Sequence, residues 1–467
     1  MKNILIAIRS IFKKGRHNVM KIVSLGIGLA VGLVLIAKVY FEQSYDDFYP
    51  DRDRVYQVWA KYQQNGGELK DYPQTSGGIA PTMQQQIPEI ETVTRYTSFG
   101  DWTFTMTDTK MKYSGRCIIA DSCFFDILPR PMLIGNAKEV LSTPMYVLIS
   151  SRIAKNIGGD VIGKNFTVDN SPGRTMTIGG VFEEVPENSH SRYDVIVSMA
   201  SAGRFMWEGS PTNMLGNDRY ISYVKLHKGV NPLALEEQVR TFVNSYFPPE
   251  EQQKVGLSID FSFHKLDNLH KELPQVKRMT WILSLLAFAL IFTAVMNYIL
   301  IVISSIVNRS KEVAVHKCYG ASENNIHGMM FGEALVHIVL SLILALLLIL
   351  AFRGTVEELL ATSLDSLLLS NGSLVLLGIC ILVFFVSGFM PGSLYARIPV
   401  ASAFRNYREN KRIWKKALLL VQFVATGFLV TMLVFVARQY TFMVNDRPGY
   451  AYENLAYCGL AGVDSTS

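Results

Sequence analysis

Charge is scarce in this chain. Asp, Glu, Lys and Arg make up 18% of 467 residues, against 49% that are hydrophobic. A protein so poor in charge is too apolar on average to be wholly soluble and too polar to lie wholly in lipid, so it must be divided between the two. Cysteine is sparse as well. Cys117, Cys123, Cys318, Cys380 and Cys458 show no metal-ligand spacing. Cys117 and Cys123 either pair in an oxidising compartment or join the others as ordinary buried thiols. A complete phosphate-binding loop is also missing. Residues 158–165, Gly-Gly-Asp-Val-Ile-Gly-Lys-Asn, come near one, but Asn165 stands where the Ser or Thr that holds magnesium belongs. The segment reads as a Gly-rich turn between a helix and a strand, and the chain is not expected to be an enzyme that hydrolyses ATP.

What the chain has in quantity is long apolar runs. Five of them, 22–41, 276–307 with its stalk, 329–352, 373–395 and 417–437, match the roughly 20 residues that a membrane-spanning helix needs. Lys2, Arg9, Lys13, Lys14, Arg16 and Lys21 precede the first run without one acid. Arg309, Lys311 and Lys317 follow the second, and Arg405 to Lys416 carry six bases before the fifth. Bases flanking spans stay in the cytoplasm. The reading is therefore a multi-pass protein with its N-terminus inside and residues 42–275 exported. The net charge of +6 is accounted for by these flanks, which leaves no case for nucleic acid as a partner. A cleaved signal peptide would share the basic start, but Lys38-Val-Tyr-Phe-Glu42 lacks a small-residue cleavage pattern.

Finer patterns fill in this layout. Ile4, Ile8, Ile11 and Phe12 share one helical face, so residues 1–21 are expected to form an amphipathic elbow on the cytoplasmic membrane surface. Ser24, Gly28 and Gly32 put three small residues on one face of the first span, a spacing that permits close helix packing without naming the neighbour. Alternating apolar residues toward Val58, a helix over 79–86 and a return to strand over 87–96 give the exported part an α/β or α+β character. His264, Asp267 and His270 lack a standard metal spacing and read as hydrogen-bonding groups. Ser189 and His190 pair a nucleophile with a base, yet neighbours on an extended chain point to opposite sides.

Between the second and third spans lies a short charged segment, residues 308–328. As a helix it sets Arg309, Glu312 and His316 on one face. It offers Val313, Val315 and Tyr319 as apolar surface for a partner's groove, and it ends in a left-handed Gly320.

The order Arg309-x-x-Glu312-Val-x-Val-x-Lys317-x-x-Gly320-Ala321-Ser322, with Glu333 opening the next run, resembles the cytoplasmic coupling segment of the MacB/FtsX family, permease subunits of a class of ABC transporters. Similar strings lie at residues 88–95, 120–128 with Gly135, 149–154 leading to 162–164, and 180–190 leading to Tyr193-Asp194. Ser387 to Pro391 and Pro399 resemble the family's helix-ending signature.

The resemblance implies a bacterial inner-membrane permease with a large α/β (α+β) periplasmic core domain inserted between the first two transmembrane helices. It further implies a cytoplasmic ABC ATPase, working as a dimer, that docks at Arg309, Glu312, Val313, His316, Lys317, Gly320, Ala321, Ser322 and Glu333. ATP and magnesium would belong to that partner, with no cofactor in this chain, and a periplasmic adaptor is a further expected partner. The implied work is export of a peptide, antibiotic or lipoprotein by transmitted motion. The alternatives are an FtsX-like regulator of a cell-wall hydrolase and a membrane-anchored ligand sensor. Residues 396–416 read as a cytoplasmic linker, and Arg405 to Phe423 echoes Arg9 to Gly26, as if a second repeat began there with its own exported domain from 438. The expectation is a permease cut short, whose second half, fused or dimerised, buries the face of Ser24, Gly28 and Gly32.

Overall fold

The computed structural model describes residues 17–168, 171–216, 218–368, 372–396 and 413–445. The elbow expected before residue 17, most of the linker and the strand expected after residue 445 lie outside the described residues. The chain separates into a helical unit, formed by the segment ending at Gln43 and that starting at Pro274, and a mixed unit spanning Ser44–Leu273.

Five helices in the first unit are long and apolar enough to cross a membrane. They run over Asn18–Gln43, Pro274–Ser304, Glu323–Ala351, Ser373–Ala396 and Ile413–Asn445, and are called the first to fifth spans. The first three interlock. Leu25, Leu29 and Leu33 of the first meet Tyr298, Ile299, Val302 and Ile303 of the second and Met330, Ile338 and Ala345 of the third in one core. Lipid gives no hydrophobic drive between helices, so association rests on close packing. Gly28 permits it: a Cβ there would sit 2.2 Å from the Cβ of Ala294, and one on Gly32 2.4 Å from Ile291 Cγ1. Gly28 and Gly32 thus pack against the chain's own second span, where a second permease half was expected to lie.

Three local features differ from the sequence reading. The second span ends at Ser304 rather than Val307, because the chain breaks at Ser305 and a separate helix, Ile306–Cys318, begins. Pro391 sits inside the fourth span and does not end it. Short helices Arg353–Leu360 and Leu364–Leu368 occupy the loop between the third and fourth spans, where only a loop was read.

The mixed unit holds eleven described strands in one sheet, nine of them in the order β11-β1-β10-β3-β4-β9-β6-β8-β5, with β2 paired to β1 and β7 set off that path. They are β1 Val55–Gln64, β2 Lys70–Tyr72, β3 Ile90–Met106, β4 Lys112–Ala120, β5 Met132–Ile134, β6 Tyr146–Ser150, β7 Asn165–Val168, β8 Ser171–Phe182, β9 Val195–Ser198, β10 Ile221–Leu226 and β11 Leu257–Lys265. Because β7 pairs with both β3 and β8, strands β3, β4, β9, β6, β8 and β7 close into a ring.

Successive side chains of a strand point to opposite faces, and here both faces are buried. Cys117 and Ile119 of β4, Val195 and Val197 of β9, and Val147 and Ile149 of β6 face one core with Phe104 and Phe166. Ile118, Ile196 and Leu148, one residue out of step, face a second core with Phe124 and Phe182. Such strands read in sequence as continuous apolar runs rather than alternating ones. On the flanking strands the helix Ile79–Gln86, at the residues expected, and the helix Glu236–Tyr246 lay Ile79, Met83, Val239 and Phe242 against Val58, Val93 and Val224.

Candidate functional site

The helix Ile306–Cys318 bridges the second and third spans, and its end is built as the sequence suggests. Gly320 adopts φ +86°. Its N–H donates to the Lys317 carbonyl at 3.0 Å, and the Ala321 N–H reaches back to the His316 carbonyl at 3.0 Å. These two bonds satisfy carbonyls that a helix C-terminus leaves open. Ser322 then caps the third span by accepting from the Asn325 N–H at 3.3 Å. The turn between bridging helix and span is therefore short and bonded at both ends.

The faces of the bridging helix divide differently from the reading. Val313 and Ala314 are each 1% exposed and pack into the bundle core beside Ile326 and Met330. Val313 is thus no docking surface for a partner. Val315 and Tyr319 do point outward, at 43% and 87% exposed. His316 is exposed, whereas Glu312 and Lys317 are half-buried. Arg309 lies on the helix backbone.

Glu333 is also displaced from the expected site. It is buried in the third span, ten residues past that span's first helical residue, Glu323, with Oε1 3.7 Å from Lys21 Nζ. His337 and Ser341 follow on the same face, since residues four apart stack along a helix. The Tyr298 hydroxyl lies 3.1 Å from His337 Nδ1, and Ser341 Oγ donates to the Ile22 carbonyl at 3.1 Å. Gly26, absent from the small-residue pattern, also serves the packing: a Cβ on it would lie 2.9 Å from Leu344 Cδ2. Further along the first span, Lys38 Nζ meets Glu42 Oε1 at 2.7 Å and Thr362 Oγ1 at 2.7 Å.

In the mixed unit Ser189 and His190 do not form a nucleophile and base. Ser189 Oγ donates to Asp46 Oδ1 at 3.0 Å, while the His190 ring is held between Asp46 Oδ2, at 2.7 Å from Nδ1, and the Tyr223 hydroxyl on Nε2. Asp46 is fully buried. Burial pushes the Tyr96 phenol up to about 12 and raises that of Tyr223 well above its ordinary range, so these two phenols stay protonated and serve as structural hydrogen-bonding groups. Sequence reasoning passed over Asp46. Its one signal was an acid in a segment that directly follows a span.

His264 stacks on Trp59 with ring centroids 4.1 Å apart and His270 on Tyr45 at 3.4 Å, while Asp267 pairs with Lys271 at 2.9 Å. No group of three or more His, Cys, Asp or Glu fit to hold a metal occurs among the described residues. Cys117 lies inside the strand ring and Cys123 lies outside it, donating to the Val93 carbonyl at 3.1 Å, and both thiols are free. Gly158, Gly159 and Gly163, all at positive φ, carry the chain from the helix Ser151–Ile157 into β7. That is the turn expected of the near-miss phosphate loop.

Span-length helices joined by a bridging helix, with an α/β domain inserted between the first two, define a multi-span membrane protein of permease architecture carrying a large extracellular domain. A family model described as the MacB-like periplasmic core domain matches residues 20–242, and one described as the FtsX-like permease C-terminal region matches residues 284–400. The chain belongs to the MacB/FtsX-like ABC transporter permeases.

Solved structures similar to it include a domain assigned to a permease protein from Porphyromonas gingivalis, 33% identical over 46% of this chain and 91% of that one, with a TM-score of 0.43. The periplasmic region of MacB from Actinobacillus actinomycetemcomitans is 14% identical over 47% and 91%, with a TM-score of 0.32. The extracellular domain of YknZ, a noncanonic ABC-type transporter from Gram-positive bacteria, is 10% identical over 45% and 98%, with a TM-score of 0.32. Among curated proteins nothing matches the chain.

Proposed function

We propose that the chain is the non-ATPase permease subunit of an inner-membrane ABC transporter, and that its bridging helix is where a cytoplasmic ATPase subunit docks. The observation that carries this reading is the two-sided setting of that helix. Val313 and Ala314 anchor it in the bundle core, while Val315, His316 and Tyr319 face outward on the same thirteen-residue element. A helix so placed feels a push on its outer face and passes it to the core behind, because packed interiors shift between discrete arrangements rather than yield locally. ATP and magnesium act in the partner. Nucleotide then favours one packing of the bundle to the extent that the docked ATPase binds the two packings differently.

The cargo class that fits this reading is one handled outside the bilayer, a peptide, antibiotic or lipoprotein delivered to the extracellular domain. The interior of the described bundle is filled by side chains such as Tyr298, His337 and Ile299, which favours transmitted motion over passage between the spans. A second set of spans, by fusion or dimerisation, would cover the fifth span, whose apolar window is 0% buried and which touches the second through Gln422 Nε2 and Asn297 Oδ1 at 2.7 Å.

A photo-crosslinking amino acid tests the docking face. Placed at Tyr319 it is expected to trap the ATPase subunit in membranes that hold both proteins, and placed at Val313 to trap none. Crosslinking from Val313 with none from Tyr319 would overturn the assignment.

A further inference from the structure

Lys21 and Glu333 form an ion pair in the interior of a helix bundle, with side chains only 1% and 9% exposed. Lys21 Nζ also donates to Asn18 Oδ1 at 3.2 Å. Removing two charges from water is costly even when they pair, and apolar side chains of similar volume often serve stability as well or better. Ionisable residues at such depth accordingly mark function more than adhesion.

The position of the pair says which function. Ile326, Met330 and Glu333 fall on one face of the third span, at i, i+4 and i+7, and the first two pack with Val313 and Ala314 of the bridging helix. Glu333 is therefore one turn beyond the residues that the bridging helix presses on. Its partner Lys21 stands in the first turn of the first span, whose far end runs directly into Ser44 and the buried Asp46. Beyond Glu333 the same face of the third span holds the second span through His337 and Tyr298, and the first again through Ser341 and the Ile22 carbonyl.

We propose that the Lys21–Glu333 pair is a positioning contact that hands displacement of the bridging helix to the first span, the helix that leads into the extracellular domain. The proposal rests on the docking reading given above. Apolar contacts at the same depth allow two helices to slide, whereas a buried ion pair fixes register, because a slip of one turn would pull the two charges apart in a medium where separating them is costly.

The test uses the full chain reconstituted with its ATPase subunit, and it reads ATPase binding and stimulated ATP turnover separately. Lys21→Met combined with Glu333→Gln removes both charges without leaving either unpaired, so it is expected to insert and to bind the ATPase. Its stimulation is expected to fall by about tenfold, within the usual range for a lost coupling contact. Lys21→Glu combined with Glu333→Lys restores the pair with its charges exchanged and is expected to recover most of the stimulation. Wild-type turnover in the neutral double variant would reduce the pair to packing and overturn the proposal. A charge-exchanged variant that inserts and binds yet turns over no faster than the neutral one would overturn it as well. Loss of ATPase binding in the neutral variant would return Glu333 to the docking surface and overturn it on other grounds. A wild-type chain that takes up no ATPase would instead bring down the docking reading beneath it.

Discussion

Asp46 and His190, 144 positions apart in sequence, meet at 2.7 Å through Oδ2 and Nδ1. The carboxylate can only accept, so Nδ1 donates to it, while Nε2 lies against the Tyr223 hydroxyl. Asp46 also takes the Ser189 hydroxyl at 3.0 Å and the His190 N–H at 3.3 Å. Its own N–H donates to the Asn188 carbonyl at 2.9 Å. The first residues after the first span are thereby fastened to the body of the extracellular domain.

Asp46 sits at φ +60°, a backbone region that Asn and Asp enter more readily than most residues. Asp46→Ala therefore loses both the side-chain acceptor and the conformational fit. It is expected to cost about 3 kcal/mol, the scale of a buried charge-assisted network opened at one member. Asp46→Asn keeps the fit and some of the bonds and is expected to cost less than half of that. Thermal unfolding of the purified chain in detergent measures both, and equal losses in the two variants would contradict this account.

Gly28 offers a sharper contrast with Gly427. A Cβ on Gly28 would fall 2.2 Å from that of Ala294, a short side chain with no flexible end to move aside, whereas Gly427 in the fifth span has nothing within 4 Å. Gly28→Ala is expected to destabilise the bundle by about 1–3 kcal/mol, as overpacking does. Gly427→Ala is expected to be neutral or slightly stabilising, since Ala is the better helix former. Detergent melting curves that show no difference between the two would mean that the first and second spans do not pack as described.

Thiol reactivity reads out burial and sidedness together. Cys318 is exposed at the end of the bridging helix, and Cys117 is buried in the strand ring, where burial raises the thiol's pKa and lowers the share of reactive thiolate. In cells opened only at the outer barrier, a membrane-impermeant maleimide is expected to label a cysteine introduced by Glu68→Cys and to spare Cys318 until the inner membrane is permeabilised. Cys117 is expected to stay unlabelled until the domain unfolds. Early labelling of Cys318 from outside would invert the orientation.

These contacts differ in how much of them the sequence could reveal. The spans were legible because hydropathy over 20 residues is a property of the chain alone, and Gly320 was legible because only its own backbone angle had to be inferred. The partner of the Gly28 face was hidden, since small-residue spacing says that a neighbour comes close without saying which. Val313 and Glu333 were misread for a related reason: helical periodicity gives faces, but which face turns to the core depends on elements elsewhere in the chain. The strand ring escaped notice because β7, only four residues long, joins its hairpin partner β8 to β3 by a pairing that is far apart in sequence. Asp46 was invisible because its partners are 143 and 144 positions away.

The central claim is that an ATPase works through the bridging helix, and stimulated ATP hydrolysis measures it most directly. The wild-type chain, reconstituted in lipid with its partner ABC ATPase subunit, is expected to raise that subunit's turnover. Glu312→Lys and Tyr319→Glu alter the half-buried and exposed residues of the helix while leaving Val313 and Ala314 in the core, so both variants are expected to insert normally. Each should lower the stimulation by about tenfold or more, the loss expected when a charge or anchor at an interface is reversed. Full stimulation in both variants, with the proteins inserted at wild-type levels, would contradict the account.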